Sequence, residues 1–223
     1  MVNSLDGTRR VLCDSVIVAT DVSVAESLLS QIAGVESTVT PQPQRSVGCL
    51  YYGFDGDAPI QEPILILSGL GDDRGTEQCP INNVCFPSVV NPSYAPANKS
   101  LCSVTILKPA MDLYKGRDDD LDIAVRRQLR AWFPECNTRK SGAWKLLRMY
   151  SIPNAQPAQL GGPMAANVNG GRDATVFRGT TLPTGMYVCG DHMATATLNG
   201  ALESGVNAGK AAAAAVVTVP ASI

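Results

Sequence analysis

The sequence predicts an α/β protein whose two ends pair strand with helix and whose middle is an antiparallel sheet. Three observations predict it. Near the N-terminus a continuous apolar run, Val16-Ile17-Val18-Ala19, feeds an amphipathic helix. Near the C-terminus a second short strand, Met186-Tyr187-Val188-Cys189, feeds a long alanine-rich helix. Between them, from Pro41 to Pro109, short β-rich runs alternate with Pro, Gly, Asn and Asp.

The first strand signal covers Val11-Leu12 and Val16–Ala19, the latter apolar throughout, as for a strand buried on both faces. Leu5-Asp6-Gly7 before it is a turn signal. Either Asp21 or Ser23 can cap the following helix; Ser23 and Glu26 have capping-box spacing. Ala25, Leu28, Leu29 and Ile32 form its apolar face. In the middle, Ser46–Phe54, Ile64–Leu67, Ile81–Phe86 and Leu101–Leu107 are strand candidates. Their spacing suits an antiparallel sheet rather than βαβ units. Asp118–Phe133 predicts a helix: Asp118, Asp119 and Asp120 complement the positive end of its dipole, and Arg126, Arg127 and Arg130 the negative end. Leu121, Val125, Leu129 and Trp132 form its stripe and Pro134 ends it. The three aspartates read as helix-start charge rather than a metal site. Residues 151–184 read as loop, and the last helix runs from Thr197 to Val217.

The 223 residues, 45% hydrophobic and 17% charged, are enough to build a core and are ordinary for a globular chain. Lys and Arg number 18 against 20 Asp and Glu, with no basic cluster, so nucleic-acid binding is not expected. Seven cysteines, Cys136 among them, form no C-x-x-C pair and share the chain with one histidine. A structural zinc is therefore unsupported, and an intracellular, soluble protein is expected. No signal peptide is recognisable, and the apolar run Ala211–Val219 is about half the length of a membrane span. No G-x-S-x-G elbow points to a hydrolase.

The chemistry concentrates in the tail. The strand ends in Gly190-Asp191, crosses a short loop and enters a helix at Thr197-Leu198-Asn199-Gly200-Ala201. A helix start offers unpaired N–H groups and positive potential, suited to a phosphate or a polarised ring edge. Thr195 or Thr197 can cap it, and Gly200 permits close backbone approach. Gly205, Ala208, Gly209 and Ala212 leave one stripe nearly free of side chains, which suits tight packing. His192 reads as a structural histidine before a general base, and Trp144 and Tyr150 as packing residues before substrate contacts.

The string Val188-Cys189-Gly190-Asp191 … Leu198-Asn199-Gly200-Ala201-Leu202-Glu203-Ser204-Gly205 resembles the C-terminal flavin motif of amine oxidases, phytoene-desaturase-like and protoporphyrinogen-oxidase-like enzymes. Asp14–Thr20 and Tyr94–Leu101 resemble further segments of that family. The resemblance implies an FAD-dependent oxidoreductase that transfers hydride from a C–N or C–C bond. It implies cofactor contacts at Gly190, Asp191, Thr197, Leu198, Asn199, Gly200 and Ala201, and it assigns no catalytic residue. It implies a discontinuous, Rossmann-like FAD domain over residues 1–40 and 181–219, with a substrate domain over 41–180 built mainly of antiparallel sheet. The expected substrate is a small apolar molecule or an amine; a plastid location and a peripheral membrane contact stay open.

The G-x-G-x-x-G turn that grips the FAD pyrophosphate in that family has no counterpart here. The nearest candidate, Gly69–Gly75, places its last glycine one position late, carries Asp72 and Asp73 and reads as a turn. The expectation is therefore a C-terminal fragment that binds FAD weakly or not at all on its own. The alternative is a non-catalytic remnant or interaction module.

Overall fold

A computed structural model of the chain describes residues 2–4, 7–9, 11–32, 34–35, 43–69, 71–134, 144–158 and 173–217. Leu5 and Asp6 of the expected first turn, Cys136, residues 159–172 of the expected loop and the last residues of the apolar tail lie outside these. The chain divides into two compact units, one formed by Met1–Gln44 with Gln156–Ile223 and the other by Arg45–Ala155. The first half of the chain gives β1 (Val2–Ser4), β2 (Gly7–Arg9), β3 (Val16–Val18), α1 (Val22–Leu29), β4 (Gln44–Asp55), β5 (Ile66–Leu67), β6 (Ile81–Cys85), α2 (Pro87–Val90) and β7 (Lys99–Leu107). The second gives α3 (Lys108–Leu113), α4 (Asp118–Trp132), β8 (Trp144–Pro157), β9 (Val176–Phe177), β10 (Thr180–Thr181), β11 (Met186–Val188) and α5 (Leu198–Val217).

The unit Arg45–Ala155 is a five-stranded sheet in the order β5-β6-β7-β4-β8. Strands β4 and β7 pair antiparallel from Val47 opposite Leu107 to Asp55 opposite Lys99. Alternation puts Leu50, Tyr52 and Phe54 of β4 and Cys102, Val104 and Ile106 of β7 on one buried face. Helix α4 supplies Leu121, Val125 and Leu129 to the same core. Its three aspartates occupy the first turn, where Asp120 pairs with Arg117 at 3.5 Å. Trp144 stacks on Phe54 with ring centroids 4.3 Å apart and meets Phe86 edge-on, so it is a core residue as expected. Tyr150 is 49% exposed and packs edge-on against Tyr51 on the opposite face of the sheet.

Polar groups fix how α4 lies on the sheet. Tyr52 donates its hydroxyl to Asp122 Oδ1 at 2.7 Å, and Arg126 Nε reaches both Asp122 oxygens at 3.0 and 2.8 Å. Arg126 Nη1 donates to the Trp144 carbonyl at 2.6 Å. Burial, with the Asp122 carboxylate beside it, holds the Tyr52 phenol far above its ordinary pKa. Where β6 bulges between Ile81 and Asn83, the Ile81 N–H donates to the buried Gln128 Oε1 at 2.9 Å.

In the other unit β3 and β11 pair parallel, with Val16 opposite Met186 and Val18 opposite Val188. Val188 joins Val18, Val22 and Leu29 in the cluster under α1, while Tyr187 and Cys189 pack on Ala208 and Ala212 of α5. Successive residues of β11 thus serve helices on opposite faces, the arrangement of an α/β layer. The chain is a mixed α/β protein with an antiparallel sheet.

Several expectations are corrected. Residues 151–157 belong to a strand, β8, and not to a loop. Pro153 and Pro157 disguised it; β8 is an edge strand, where a missing N–H need not break a ladder. A second interruption of the expected loop is the β9–β10 hairpin, turned by Arg178 and Gly179 with φ of 48° and 80°. Val11 and Leu12 form no strand, and Leu12 is 99% exposed. Ile64–Leu67 shortens to Ile66–Leu67. Helix α1 is capped by Asp21, which accepts from Ser23 and Val24 N–H at 2.9 and 3.3 Å. The helix stops before Ile32 and buries Val22, Ala25 and Leu29, leaving Leu28 exposed. Strand β3 is not buried on both faces: Val16 and Ile17 are 44% and 41% exposed, because β11 is its only partner strand among the described residues. Gly71–Asp73 forms a single tight turn, as read for the Gly69–Gly75 segment. Among the described residues no helix is long and apolar enough to cross a membrane.

Candidate functional site

Because β3 and β11 run parallel, their carboxyl ends lie side by side, and each leads into a helix-bearing turn. Ligands of open α/β sheets bind at such an edge. Beyond Val18 come Thr20 and Asp21, the cap of α1. Beyond Val188 come Cys189, Gly190 and Asp191, with Cys189 N–H bonded to the Val18 carbonyl at 2.9 Å.

Gly190 is required here on two counts. Its φ is +150°, and an added Cβ would stand 2.5 Å from His192 Cε1 and 3.4 Å from the Thr20 carbonyl oxygen. Its N–H donates to Ser204 Oγ at 3.1 Å, which ties the strand end to the second turn of α5. Ser204 is buried, and sequence reasoning missed this role by counting it only within the small-residue pattern.

Asp191 opens a short turn over Asp191–Met193, closed by Met193 N–H on the Gly190 carbonyl. Its carboxyl is half-buried and its pKa is raised, first by burial. Backbone N–H groups of His192 and Asp191 oppose that, and the nearby Asp21 carboxylate adds to it. His192 is buried, with its ring on Gly190 and edge-on to Phe177 at 6.1 Å. Burial, and then the Arg178 guanidinium, bring its pKa down to about 4, so it is neutral at pH 7. Its Nδ1 lies 3.9 Å from Asp191 Oδ1. The ring is thus part of the packing beneath the turn.

The start of α5 is built from Thr195 to Ala201. Thr197 caps it, accepting Gly200 N–H on Oγ1 and Ala201 N–H on its carbonyl, both at 3.0 Å. Gln156 donates its side-chain amide to the Ala196 carbonyl and pins the loop ahead of the cap. Leu198 and Asn199, the first two helical residues, are exposed, and their N–H groups have no intrahelical acceptor. Gly200 does permit a close approach, but the neighbour is the chain itself: an added Cβ would stand 2.0 Å from the Thr195 carbonyl oxygen.

Helix-start N–H groups at Leu198 and Asn199 that lack an intrahelical acceptor suit an anionic or carbonyl edge of a ligand, and the Asp191 carboxyl suits a ligand hydroxyl. No group of three or more His, Cys, Asp or Glu among the described residues is placed to hold a metal ion.

Comparison with known proteins gives concordant results. The structure is similar to that of an oxidoreductase from Methanosarcina mazei, with TM-score 0.58, 15% identity, and coverage of 89% of this chain and 43% of that one. It is also similar to a protein bearing the name protoporphyrinogen oxidase from Exiguobacterium sp. 255-15, with TM-score 0.62, 13% identity, and coverage of 92% and 42%. At these identities the likeness is one of fold, and the chain spans less than half the length of either structure. No curated protein matches the chain significantly. The sequence profile of the flavin containing amine oxidoreductases matches residues 2–217, nearly the whole length. The chain belongs to the flavin-containing amine oxidoreductase family.

Proposed function

We propose that this chain is the C-terminal portion of an FAD-dependent oxidoreductase of the amine-oxidase or desaturase type, and that it carries one wall of the flavin site. The observation that carries the reading is the carboxyl edge of the β3–β11 pair, where Gly190-Asp191 meets Thr20-Asp21 and Ser204 fixes the turn to α5. In this reading Asp191 and the exposed N–H groups of Leu198 and Asn199 contact the cofactor, and Thr197, Gly200 and Ala201 shape the helix start that presents them. Gly190 sets the direction in which Asp191 leaves the strand. Bound FAD would supply the hydride acceptor, and the protein would position it and exclude water. The β3–β11 unit, with helices on both faces, is the remnant of a Rossmann-like domain, and the sheet unit Arg45–Ala155 is the inserted substrate-binding part.

FAD titration with flavin fluorescence tests this reading. The chain alone lacks a glycine-rich pyrophosphate turn, so saturable binding is expected at a Kd of about 0.1–1 mM. Asp191→Ala is expected to weaken it by about tenfold, the loss of a charge-assisted hydrogen bond. A longer form of the protein that includes a G-x-G-x-x-G turn should show visible flavin absorbance after purification. Absence of binding by the chain, together with a colourless longer form, would overturn the reading in favour of a non-catalytic interaction module.

A further inference from the structure

The turn after β11 holds a side chain that packing alone does not explain. The His192 ring lies on Gly190, where an added Cβ would stand 2.5 Å from Cε1 and 2.6 Å from Nδ1, and it meets Phe177 edge-on. Its side chain is 2% exposed. Neither ring nitrogen has a hydrogen-bond partner among the described residues. A neutral imidazole carries one N–H donor and one bare acceptor nitrogen, so burial leaves both unmet. A phenylalanine would fill the same space without that cost. One acceptor stands within reach. Asp191 Oδ1 lies 3.9 Å from His192 Nδ1, and a side-chain movement of about 1 Å would bring the pair to bonding distance.

We propose that His192 is a positioning residue: its neutral imidazole, in the Nδ1–H tautomer, donates to Asp191 Oδ1 and holds that carboxylate toward the carboxyl edge of the β3–β11 pair. The proposal rests on reading Asp191 as a cofactor contact, and it adds what orients that contact. Asp191 can accept this bond and still serve a ligand. An ionised carboxylate has about four lone-pair sites, and the backbone N–H groups of Asp191 and His192 take only some of them. The charged groups around the ring are Asp191 on its own turn, Asp21 at the cap of α1 and Arg178 on the β9–β10 turn. Burial and the Arg178 guanidinium oppose a second proton on the ring, Asp21 favours one, and the first two prevail. At pH 7 the ring therefore orients Asp191 as a neutral donor and leaves the charge of the carboxylate to the ligand.

His192 is the only histidine of the chain, so its ring nitrogens can be read without assignment in a long-range proton–nitrogen NMR spectrum of the isotopically labelled chain. Histidine in water favours the Nε2–H tautomer, and in a protein the bonds of the ring decide which nitrogen holds the proton. At pH 7 the folded chain should show Nδ1–H, and Asp191→Ala should return the ring to Nε2–H. A ring that serves only as packing would show the same tautomer in both. In the FAD titration His192→Phe should weaken binding about fivefold, the loss of one oriented hydrogen bond. His192→Asn, whose Nδ2 takes the place of Nδ1, should stay within about twofold of the original chain. An Nε2–H ring in the original chain, an Nδ1–H ring that survives Asp191→Ala, or equal weakening by the two His192 variants would each overturn the proposal. The spectrum is read without flavin, so a chain that binds no FAD overturns the cofactor reading and leaves this proposal to be decided by the tautomer.

Discussion

The two units of this chain differ in how completely each buries its own apolar surface. In Arg45–Ala155 a twelve-residue β4 and a nine-residue β7 carry a continuous core, with Leu50, Tyr52, Ile81, Val84, Val104, Ile106, Val125 and Leu129 essentially inaccessible to water. In the other unit, strands of three residues support two separate small clusters, and Val16, Ile17, Leu198, Leu202 and Val206 stand exposed. The candidate cofactor edge belongs to the second unit. The lesson is that the motif most specific in sequence lies on the part of the fold with less packing of its own to hold it. Loop edges and helix starts used for binding are commonly drawn from such regions.

That contrast can be broken by mutation. Leu129→Ala removes a fully buried side chain from a core closed by sheet, helix and the Trp144 stack, so its cavity has little freedom to collapse. It should destabilise its unit by about 4–5 kcal/mol, the upper part of the range for such changes. Leu29→Ala makes the same chemical change in the cluster beneath α1, whose surroundings are partly open, and should cost about 2–3 kcal/mol. Urea unfolding of both variants, followed by circular dichroism, measures the pair. Equal costs would show that the two cores are equally tight.

A second effect, of about 3 kcal/mol, belongs to the site unit alone. His192 has a folded pKa of about 4 against an ordinary 6.5, because burial disfavours the imidazolium. A depressed folded pKa means that the unfolded chain binds the proton more readily. The stabilisation is therefore fully present above pH 6.5 and is lost as pH falls from 6.5 through 4. Arg178, Asp21 and Asp191 are the charged neighbours, and of these Arg178 deepens the shift while Asp21 opposes it. His192→Phe keeps a ring against Gly190 and Phe177 and removes the titration. Stability of the wild-type chain should fall across this window, and that of the variant should fall by about 3 kcal/mol less. A slope unchanged by the substitution would place the acid sensitivity elsewhere.

What could be read in advance follows from which interactions are local. Helix α4 was legible because its charge gradient and its Leu121–Val125–Leu129 stripe are encoded within one segment. Strands β4, β6 and β7 were legible from apolar alternation between turn residues. β8 was not, because Pro153 and Asn154 signal a loop and only its place at the sheet edge makes them tolerable. At the site, the strand and the Gly190-Asp191 break were legible, and a threonine cap was legible as Thr195 or Thr197, of which the folded chain uses Thr197. The Ser204 bond to Gly190 and the burial of His192 were not, since both depend on contacts between a loop and a helix that meet only in the folded chain.

The smallest predicted effect sharpens the contrast most directly. The stripe Gly205, Ala208, Gly209 and Ala212 was read as a surface for close packing. Its alanines meet that expectation, since Ala208 and Ala212 are buried against Tyr187 and Cys189. Its glycines do not: a Cβ built on Gly205 or Gly209 meets nothing within 4 Å. Glycine in a helix interior loses more backbone entropy on folding than alanine and gains nothing here from its small size. Gly205→Ala should therefore stabilise this chain by about 0.5–1 kcal/mol, visible as a small rise in Tm. The same substitution in a longer form of the protein, if another segment packs against this stripe, should instead destabilise by about 1–3 kcal/mol through overpacking. Opposite signs in the two backgrounds would identify the open side of α5 as a surface that the rest of such a protein closes; a gain in both would assign the glycines no packing role.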